Sequence, residues 1–128
     1  MVDLYILFSH ELTDKQNKQI YKNYGIKDII YLPGELIKKW KNIPVDEKSL
    51  VEFLDPFKSW IGENTRVGDY ILIQGESGAT YQMVNFAFKC DLIPLHATTK
   101  RVNREIKNGE EIITERKFEH VIFRRYER

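Results

Sequence analysis

The residues of this chain best suited to chemistry follow a short apolar segment, Tyr70–Ile73. That segment is typical of a buried strand, and it leads through a turn containing Gly75 and Gly78 into the apolar helical pattern that begins at Ala79. A strand, a glycine turn and a helix present backbone N–H groups at a helix N-terminus, where they bind anions such as phosphate. A connection that merely needs glycine would have the same sequence, so the rest of the chain has to decide.

Polar, small and cationic residues follow three of the predicted strands. Ligands of an open α/β sheet bind at the carboxyl ends of its strands, so residues in those positions are the candidates for a site. They are Ser9 and His10 after the first strand, Gln74, Gly75, Glu76, Ser77, Gly78, Ala79 and Thr80 after the central strand, and His96, Thr98, Thr99, Lys100 and Arg101 after the next strand. Amides, hydroxyls, one histidine and two cations suit a phosphodiester. A ribose 2′-hydroxyl of the substrate would cleave it, given in-line positioning, charge stabilisation and one general acid or base.

Each catalytic candidate also has a simpler interpretation. His10 is either a general acid or base or a loop histidine that bonds to backbone. Ser9 contacts phosphate or caps its loop. Lys100 and Arg101 either neutralise charge at the scissile phosphate or form salt bridges in a hairpin.

The ligand-binding candidates likewise have more than one interpretation. Gln74 binds an adenine edge or a ribose, or it satisfies neighbouring backbone. Glu76 would repel phosphate, so we expect it to point away from the anion or to meet adenine amines. Trp40 and Trp60 stand at helical spacing with apolar residues and are expected in the core rather than as stacking platforms.

Several known site types do not match the glycine turn. A Walker A loop ends in Gly-Lys-Ser/Thr, whereas Ala79 and Thr80 follow Gly78 here. The dinucleotide fingerprint Gly-x-Gly-x-x-Gly and the nucleophile elbow Gly-x-Ser-x-Gly are both missing. No carboxylate pair or His/Cys cluster has metal-ligand spacing. We therefore predict a site with neither a metal nor a cofactor.

The composition limits the classes of protein to which this chain can belong. With 128 residues and 42% hydrophobic residues, residues 1–128 are expected to form one domain with its own core. A single cysteine, Cys90, excludes a disulfide framework and fits a reducing cytoplasm. No apolar run is long enough to span a bilayer. The net charge of +1 argues against a general nucleic-acid coat, so we expect a cytoplasmic protein with no DNA and no membrane partner.

The pattern of apolar residues predicts an α/β fold. Strands are predicted at 2–8, 27–32, 70–73 and 92–96, and helices at 13–24, near 36–40 and at 79–90. A capping box of Thr13 and Gln16 starts the first helix. Alternation of strands and helices implies a mostly parallel open sheet with flanking helices.

Two later segments depend on turn residues. Asp55-Pro56 interrupts a helical pattern at 50–61 and favours two helices over one kinked helix. Residues 101–118 are predicted to form a C-terminal β-hairpin, with Asn108-Gly109 as a two-residue type I′ turn, and 120–123 to add a strand.

The helix after the glycine turn carries two apolar stripes. The first consists of Ala79, Met83, Phe86, Ala87 and Cys90, and the second of Tyr81, Val84 and Phe88. Because one stripe suffices to pack on a sheet, the second needs neighbouring helices or a partner subunit. We expect a homodimer through this face.

A set of segments resembles the CRISPR-associated Csx-twenty family of type III CRISPR systems. They are residues 7–13 (LFSHELT), 31–33 (YLP), 68–75 (GDYILIQG), 78–80 (GAT), 83–87 (MVNFA), 96–101 (HATTKR) and the closing pattern F-x-H-V-x-F-R-x-Y at 118–126, and they are spread over nearly the whole chain. The resemblance implies a Rossmann-like fold similar to the domains that sense cyclic oligoadenylates. It also implies a ring nuclease that binds cyclic tetra-adenylate and linearises it, which switches off the second messenger.

Two other functions stay open beside the ring nuclease. A module with the same fold and pocket would bind cyclic oligoadenylate without cleaving it, if it lacked a well-placed acid or base. An interaction subunit would instead dock another protein through the second stripe of the helix, and its glycine turn would tolerate substitution.

Overall fold

The computed structural model describes residues 1–128 as a mixed α/β structure that ends in a long strand pair. The strands are β1 (Val2–Leu7), β2 (Ile26–Tyr31), β3 (Tyr70–Ile73), β4 (Ile93–Asn108) and β5 (Glu111–Arg125). The helices are α1 (Asp14–Asn23), α2 (Gly34–Lys41), α3 (Val51–Asn64) and α4 (Ser77–Lys89). No helix combines the length and the apolar character that crossing a membrane requires.

The five strands form one sheet in the order β2-β1-β3-β4-β5. β1 is parallel to β2 and to β3, and β3 is parallel to β4, whereas β4 and β5 are antiparallel. The predicted mostly parallel sheet is therefore confirmed. The chain leaves β1 for β2 on one side and returns to β3 on the other. Such a reversal separates the loops that follow β1 and β3, and it creates a crevice at the carboxyl edge of the sheet.

The helices cover the two faces of the sheet unequally. One face packs against α2, α3 and α4, whose buried side chains include Trp40, Phe57 and Met83. On the other face, Ile20 of α1 packs into a second cluster of buried residues, which includes Phe123 near the end of β5.

Side chains of α1 also bond to the backbone of β5. Lys15 Nζ donates to the carbonyl of His120 at 3.2 Å, and Tyr24 Oη donates to that of Phe123 at 3.0 Å. These bonds satisfy carbonyls of an edge strand and hold the base of the long strand pair against α1.

The start of α1 follows the predicted capping box. Thr13 Oγ1 accepts a hydrogen bond from the amide of Gln16 at 3.2 Å, and Gln16 Oε1 accepts one from the amide of Thr13 at 2.9 Å. Two orphan donors of the first turn are thus satisfied reciprocally.

The prediction of two helices around Pro56 is wrong, because α3 is one helix with Pro56 inside it. Proline removes the hydrogen bond to the carbonyl of Glu52, four residues earlier. Leu54, Phe57 and Ile61 are nonetheless at most 1% exposed, and all three lie on the face of α3 that packs on the sheet. Burial of that continuous apolar face outweighs the loss of one backbone bond.

The C-terminal segment also differs from its prediction. The expected strand at 92–96, the hairpin and the last strand are two long strands, β4 and β5, with one irregularity of register between Ala97 and Thr99. Asn108 pairs with Glu111, so the turn residues are Gly109 and Glu110. Gly109 has φ +68° and Glu110 has no positive φ, a pattern typical of a type II′ turn. Glycine at the first turn position thus prevails over the predicted Asn-Gly type I′ turn.

Candidate functional site

A cleft of about 560 Å³ opens at the carboxyl edge of the sheet, where the loops after β1 and β3 separate. Its lining residues are Ser9, His10, Trp40, Lys41, Ile43, Gly75 and Glu76. Two of the three predicted groups of site residues therefore contribute to one cavity. The contribution of α2 and its following loop was not predicted.

Unpaired backbone amides border this cleft. The N–H groups of Ser9, His10, Gly75 and Glu76 make no hydrogen bond within the chain. A backbone donor that is not paired within the protein is free to bind water or a ligand. The cleft thus offers donors from both loops, as an oxyanion would need.

Glu76 occupies the donors at the start of α4. Its carboxylate accepts hydrogen bonds from the amides of Gly78 at 2.8 Å and Ala79 at 2.9 Å. These two bonds favour the charged form and lower the pKa of Glu76. The expectation that Glu76 points away from the anion site is wrong, since the carboxylate itself is the anion at this helix N-terminus. Gly78 and Ala79 were predicted to bind the ligand, but their amides are already bonded.

Gly75 is required by the chain's own core. Trp40 Nε1 donates to the carbonyl of Gln74 at 2.8 Å, and a Cβ at position 75 would lie 2.6 Å from that nitrogen. Trp40 is 3% exposed, which confirms its predicted place in the core, although its ring edge also lines the cleft. A Cβ at Gly78 would lie 3.4 Å from Glu76 Oε1, an ordinary contact. The group that lies close to the backbone of Gly75 is therefore the Trp40 indole.

Gln74 extends the β3–β4 pairing beyond the end of β3. Its Oε1 accepts from the amide of Ala97 at 2.8 Å, and its Nε2 donates to the carbonyl of Ala97 at 3.5 Å. The sequence left two interpretations of Gln74 open. In the structure Gln74 satisfies neighbouring backbone groups, which is the second of the two.

The third predicted group lies on the strand pair and does not line the cleft. Thr98 Oγ1 accepts from the amide of Ile122 and donates to its carbonyl, both at 3.1 Å. Thr99, Lys100 and Arg101 are exposed, and Lys100 lies opposite Glu119 in the strand pair. The three groups were predicted to converge on one cavity, and this third group does not line it.

The cation in the cleft is Lys41 instead. It is the last residue of α2, and it follows Lys38 and Lys39 in the same helical turn. This run of lysines at the end of a short helix was the only sequence signal for it. The position of Lys41 in the cleft depends on how α2 packs, and the local sequence does not define that packing.

The other two histidines have structural surroundings. Burial lowers the pKa of His96, with a smaller effect of Arg124, and its ring packs on that of Tyr126 with centroids 4.7 Å apart. Burial also lowers the pKa of His120, whose Nε2 lies 2.7 Å from Gln19 Oε1. His10, in contrast, is exposed, and its ring contacts the ring of Phe8 edge-on.

A second cavity, the α4 groove, lies between α4 and the C-terminal residues. It has a volume of about 710 Å³ and is lined by Ser77, Thr80, Tyr81, Val84, Asn85, Phe88, Tyr126, Glu127 and Arg128. Val84 is buried, and the Arg128 guanidinium lies 4.8 Å from the centroid of the Phe88 ring. The chain's own C-terminal residues thus supply part of the cover that the second stripe was expected to take from a partner subunit.

Comparison with known proteins identifies a family. Residues 2–124 match the family described as "Uncharacterized protein MJ1673 family". The "Uncharacterized protein MJ1673" of Methanocaldococcus jannaschii is 46% identical over 126 residues, which cover 98% of this chain and 98% of that protein. The chain therefore belongs to the MJ1673 family. No solved structure matches it.

Proposed function

We propose that this member of the MJ1673 family is a cytoplasmic ring nuclease of the Csx-twenty type, with a Rossmann-like domain that binds and linearises cyclic tetra-adenylate. The observation that carries the proposal is the cleft between the loops after β1 and β3. It combines an exposed imidazole at His10, a hydroxyl at Ser9, an ammonium at Lys41 and unpaired amides from both loops. These are the groups that an in-line attack on a phosphodiester requires.

The reaction we propose uses the substrate's own nucleophile. A phosphate oxygen accepts hydrogen bonds from the amides of Gly75 and Glu76, and Lys41 stabilises the charge that develops on the phosphorane. His10 removes the proton of a ribose 2′-hydroxyl, whose oxygen bonds to phosphorus while the bond from phosphorus to the 5′-oxygen breaks. The leaving 5′-oxygen takes up a proton from solvent water, and the His10 imidazolium returns its own proton to the solvent. The products are a 2′,3′-cyclic phosphate and a 5′-hydroxyl, and the balance needs no metal.

The remaining predicted residues have secondary roles in this proposal. A cyclic tetranucleotide has more phosphates than one cleft can hold. Lys100 and Arg101 project from the exposed strand pair, where they would bind a phosphate outside the cleft rather than act in catalysis. The two amide bonds of Glu76 disperse its charge and limit its repulsion of a phosphate in the cleft.

One observation favours a second function, a module that binds the messenger without cleaving it. The His10 imidazole makes no hydrogen bond that would fix its tautomer or its orientation. Catalytic histidines are commonly oriented by a third group, as in the serine protease triad. If the ligand does not provide that orientation, the cleft binds cyclic tetra-adenylate and leaves it intact.

Incubation with cyclic tetra-adenylate in EDTA separates the two functions. We expect linear products by chromatography, and a loss of about 10²- to 10⁴-fold in single-turnover rate for His10→Ala. Lys41→Ala should lose about 10²-fold, whereas Lys38→Ala, three residues earlier on the same helix and outside the lining of the cleft, should keep the wild-type rate. Tight binding of intact ligand would establish the binding module, and absence of binding would exclude both functions.

A further inference from the structure

The α4 groove is adjacent to the cleft, on the other side of the glycine turn. Gly75 and Glu76 line the cleft, whereas Ser77 and Thr80 line the groove. Only the turn and the first residues of α4 therefore separate the two cavities. Ser77 directly follows Glu76, so a nucleotide with its phosphate in the cleft and its base in the groove would pass over the start of α4.

Three aromatic side chains line the groove, and of these Tyr81 is exposed, whereas Phe88 and Tyr126 are half-buried. Tyr81 is 70% exposed, although it lies on a helix whose inner face is buried. Phe88 is held by Arg128, whose Nη2 donates to the carbonyl of Phe88 at 3.2 Å. Tyr126 donates its hydroxyl to the carbonyl of Ile73 at 2.6 Å, so its ring is fixed as well. Rings of this kind stack on nucleobases.

The groove also contains an unpaired hydroxyl. Thr80 Oγ1 is buried and has no hydrogen-bond partner, and no other buried side-chain polar atom of the chain lacks one. A threonine inside a helix normally bonds to the carbonyl four residues earlier. Here the Glu76 carbonyl accepts the regular helix bond from the Thr80 amide at 2.9 Å, and it makes no bond with the hydroxyl. Buried polar atoms are rarely left unpaired, so this hydroxyl is a candidate partner for a ligand once the Thr80 side chain turns into the groove.

Asn85 adds the groups that distinguish one base from another. It lies four residues after Tyr81 on α4, hence on the same face, and it is exposed in the groove. Its amide carries a donor and an acceptor side by side. An adenine edge presents the complementary pair, an amine beside a ring nitrogen, which asparagine binds through two hydrogen bonds.

We propose that the α4 groove binds an adenine ring, stacked on Tyr81 and hydrogen-bonded by Asn85. The inference rests on the proposed function in one respect, since it takes the ring to be a base of the oligoadenylate whose phosphate lies in the cleft. The groove accepts the adenine of a mononucleotide by the same contacts.

Titration with AMP and with UMP tests the groove apart from the cleft. We expect AMP to shift the backbone and side-chain NMR signals of Tyr81 and Asn85, and UMP to bind more weakly. Tyr81→Ala should weaken binding of AMP and of cyclic tetra-adenylate by about 5- to 150-fold, the usual loss for one base–aromatic stack. Tyr21→Ala is the matched control, because Tyr21 is a 51% exposed tyrosine on α1 and should bind like wild type.

The possible results separate this inference from the proposed function. Binding of AMP that depends on Tyr81, without cleavage of the cyclic substrate, would support the groove and overturn the nuclease. Cleavage at wild-type affinity by Tyr81→Ala, with no AMP shifts in the groove, would overturn the groove and support the nuclease. A wild-type dimer by light scattering that Tyr81→Ala dissociates would assign the groove to a second copy of the chain, and it too would overturn the inference.

Discussion

Replacement of Gly75 by alanine tests the packing that defines the cleft. The added Cβ would lie 2.6 Å from Trp40 Nε1 and 2.8 Å from Trp40 Cε2, and ordinary contacts begin at 3.4 Å. The indole would have to retreat by about 0.8 Å. It has little space to move into, because it is 3% exposed and its ring packs edge-on against Phe57.

The cost of Gly75→Ala follows from two terms. Overpacking a well-filled core costs about 1–3 kcal/mol. Displacing the indole also breaks its hydrogen bond to the carbonyl of Gln74, which contributes about 0.5–1.5 kcal/mol. The free energy of unfolding should fall by about 1.5–4.5 kcal/mol. With an unfolding entropy of about 2.1 cal/mol/K per residue, a chain of 128 residues loses roughly 4 °C in Tm per kcal/mol, so Tm should fall by roughly 6–17 °C.

Thermal unfolding by calorimetry and circular dichroism measures this effect, and Gly78→Ala is the matched control. Its Cβ meets Glu76 Oε1 at an ordinary 3.4 Å and lies in the first turn of α4, so its Tm should stay the same or rise. In the background of Trp40→Phe, Gly75→Ala should cost less, because the smaller ring leaves room for the methyl group. A Gly75→Ala protein as stable as Gly78→Ala would refute the account of the cleft wall.

Four further predictions concern pH, the groove and the oligomer. The lowered pKa of Glu76 stabilises the fold above its ordinary value of 4.5, and this contribution is lost as the pH falls through the lowered pKa, so Glu76→Gln should flatten that part of a Tm–pH curve. Burial and Lys15 lower the pKa of His120, so its neutral form stabilises the fold above pH 6.5 and stability falls below it; His120→Gln should remove that fall in urea titrations. Thr80→Val should raise Tm, because it removes an unpaired buried hydroxyl, yet weaken AMP binding in calorimetric titration. The homodimer remains a prediction, which light scattering would test. Because Arg128 already covers Phe88, we expect Phe88→Glu to lower Tm and to leave the mass of the particle in solution unchanged.

Local signals predicted the elements that local interactions stabilise. The capping box of Thr13 and Gln16 involves neighbouring residues only, so it could be identified from sequence and is confirmed. The parallel sheet could be predicted from the alternation of strand and helix patterns. A helix between two strands carries the chain back along the sheet, so that the second strand runs parallel to the first. Pro56 shows the limit of such signals. A proline disfavours helix locally, but the apolar face on both sides of it belongs to one helix that packs on the sheet.

The site was predictable only in part, for reasons of distance along the chain. Ser9 and Gly75 meet because β1 and β3 are neighbours, and the pattern of a parallel sheet had already placed the residues after both strands at its carboxyl edge. Lys41 reaches the same cleft only through the packing of α2, and nothing in its local sequence defines that packing. Lys100 was predicted to follow a strand, but β4 continues through it to Asn108, paired with β5, and takes it away from the cleft.

The capped start of α4 changes how the glycine turn would act in binding. In a phosphate loop the helix N-terminus is empty until the ligand arrives, whereas here the Glu76 carboxylate already occupies it. The turn is therefore a fixed partition, with Trp40 on one side of Gly75 and an exposed Tyr81 beyond Thr80 on the other. A ligand that uses both cavities must extend across this partition. That favours a nucleotide with its phosphate and base on opposite sides over a small anion held at the helix end.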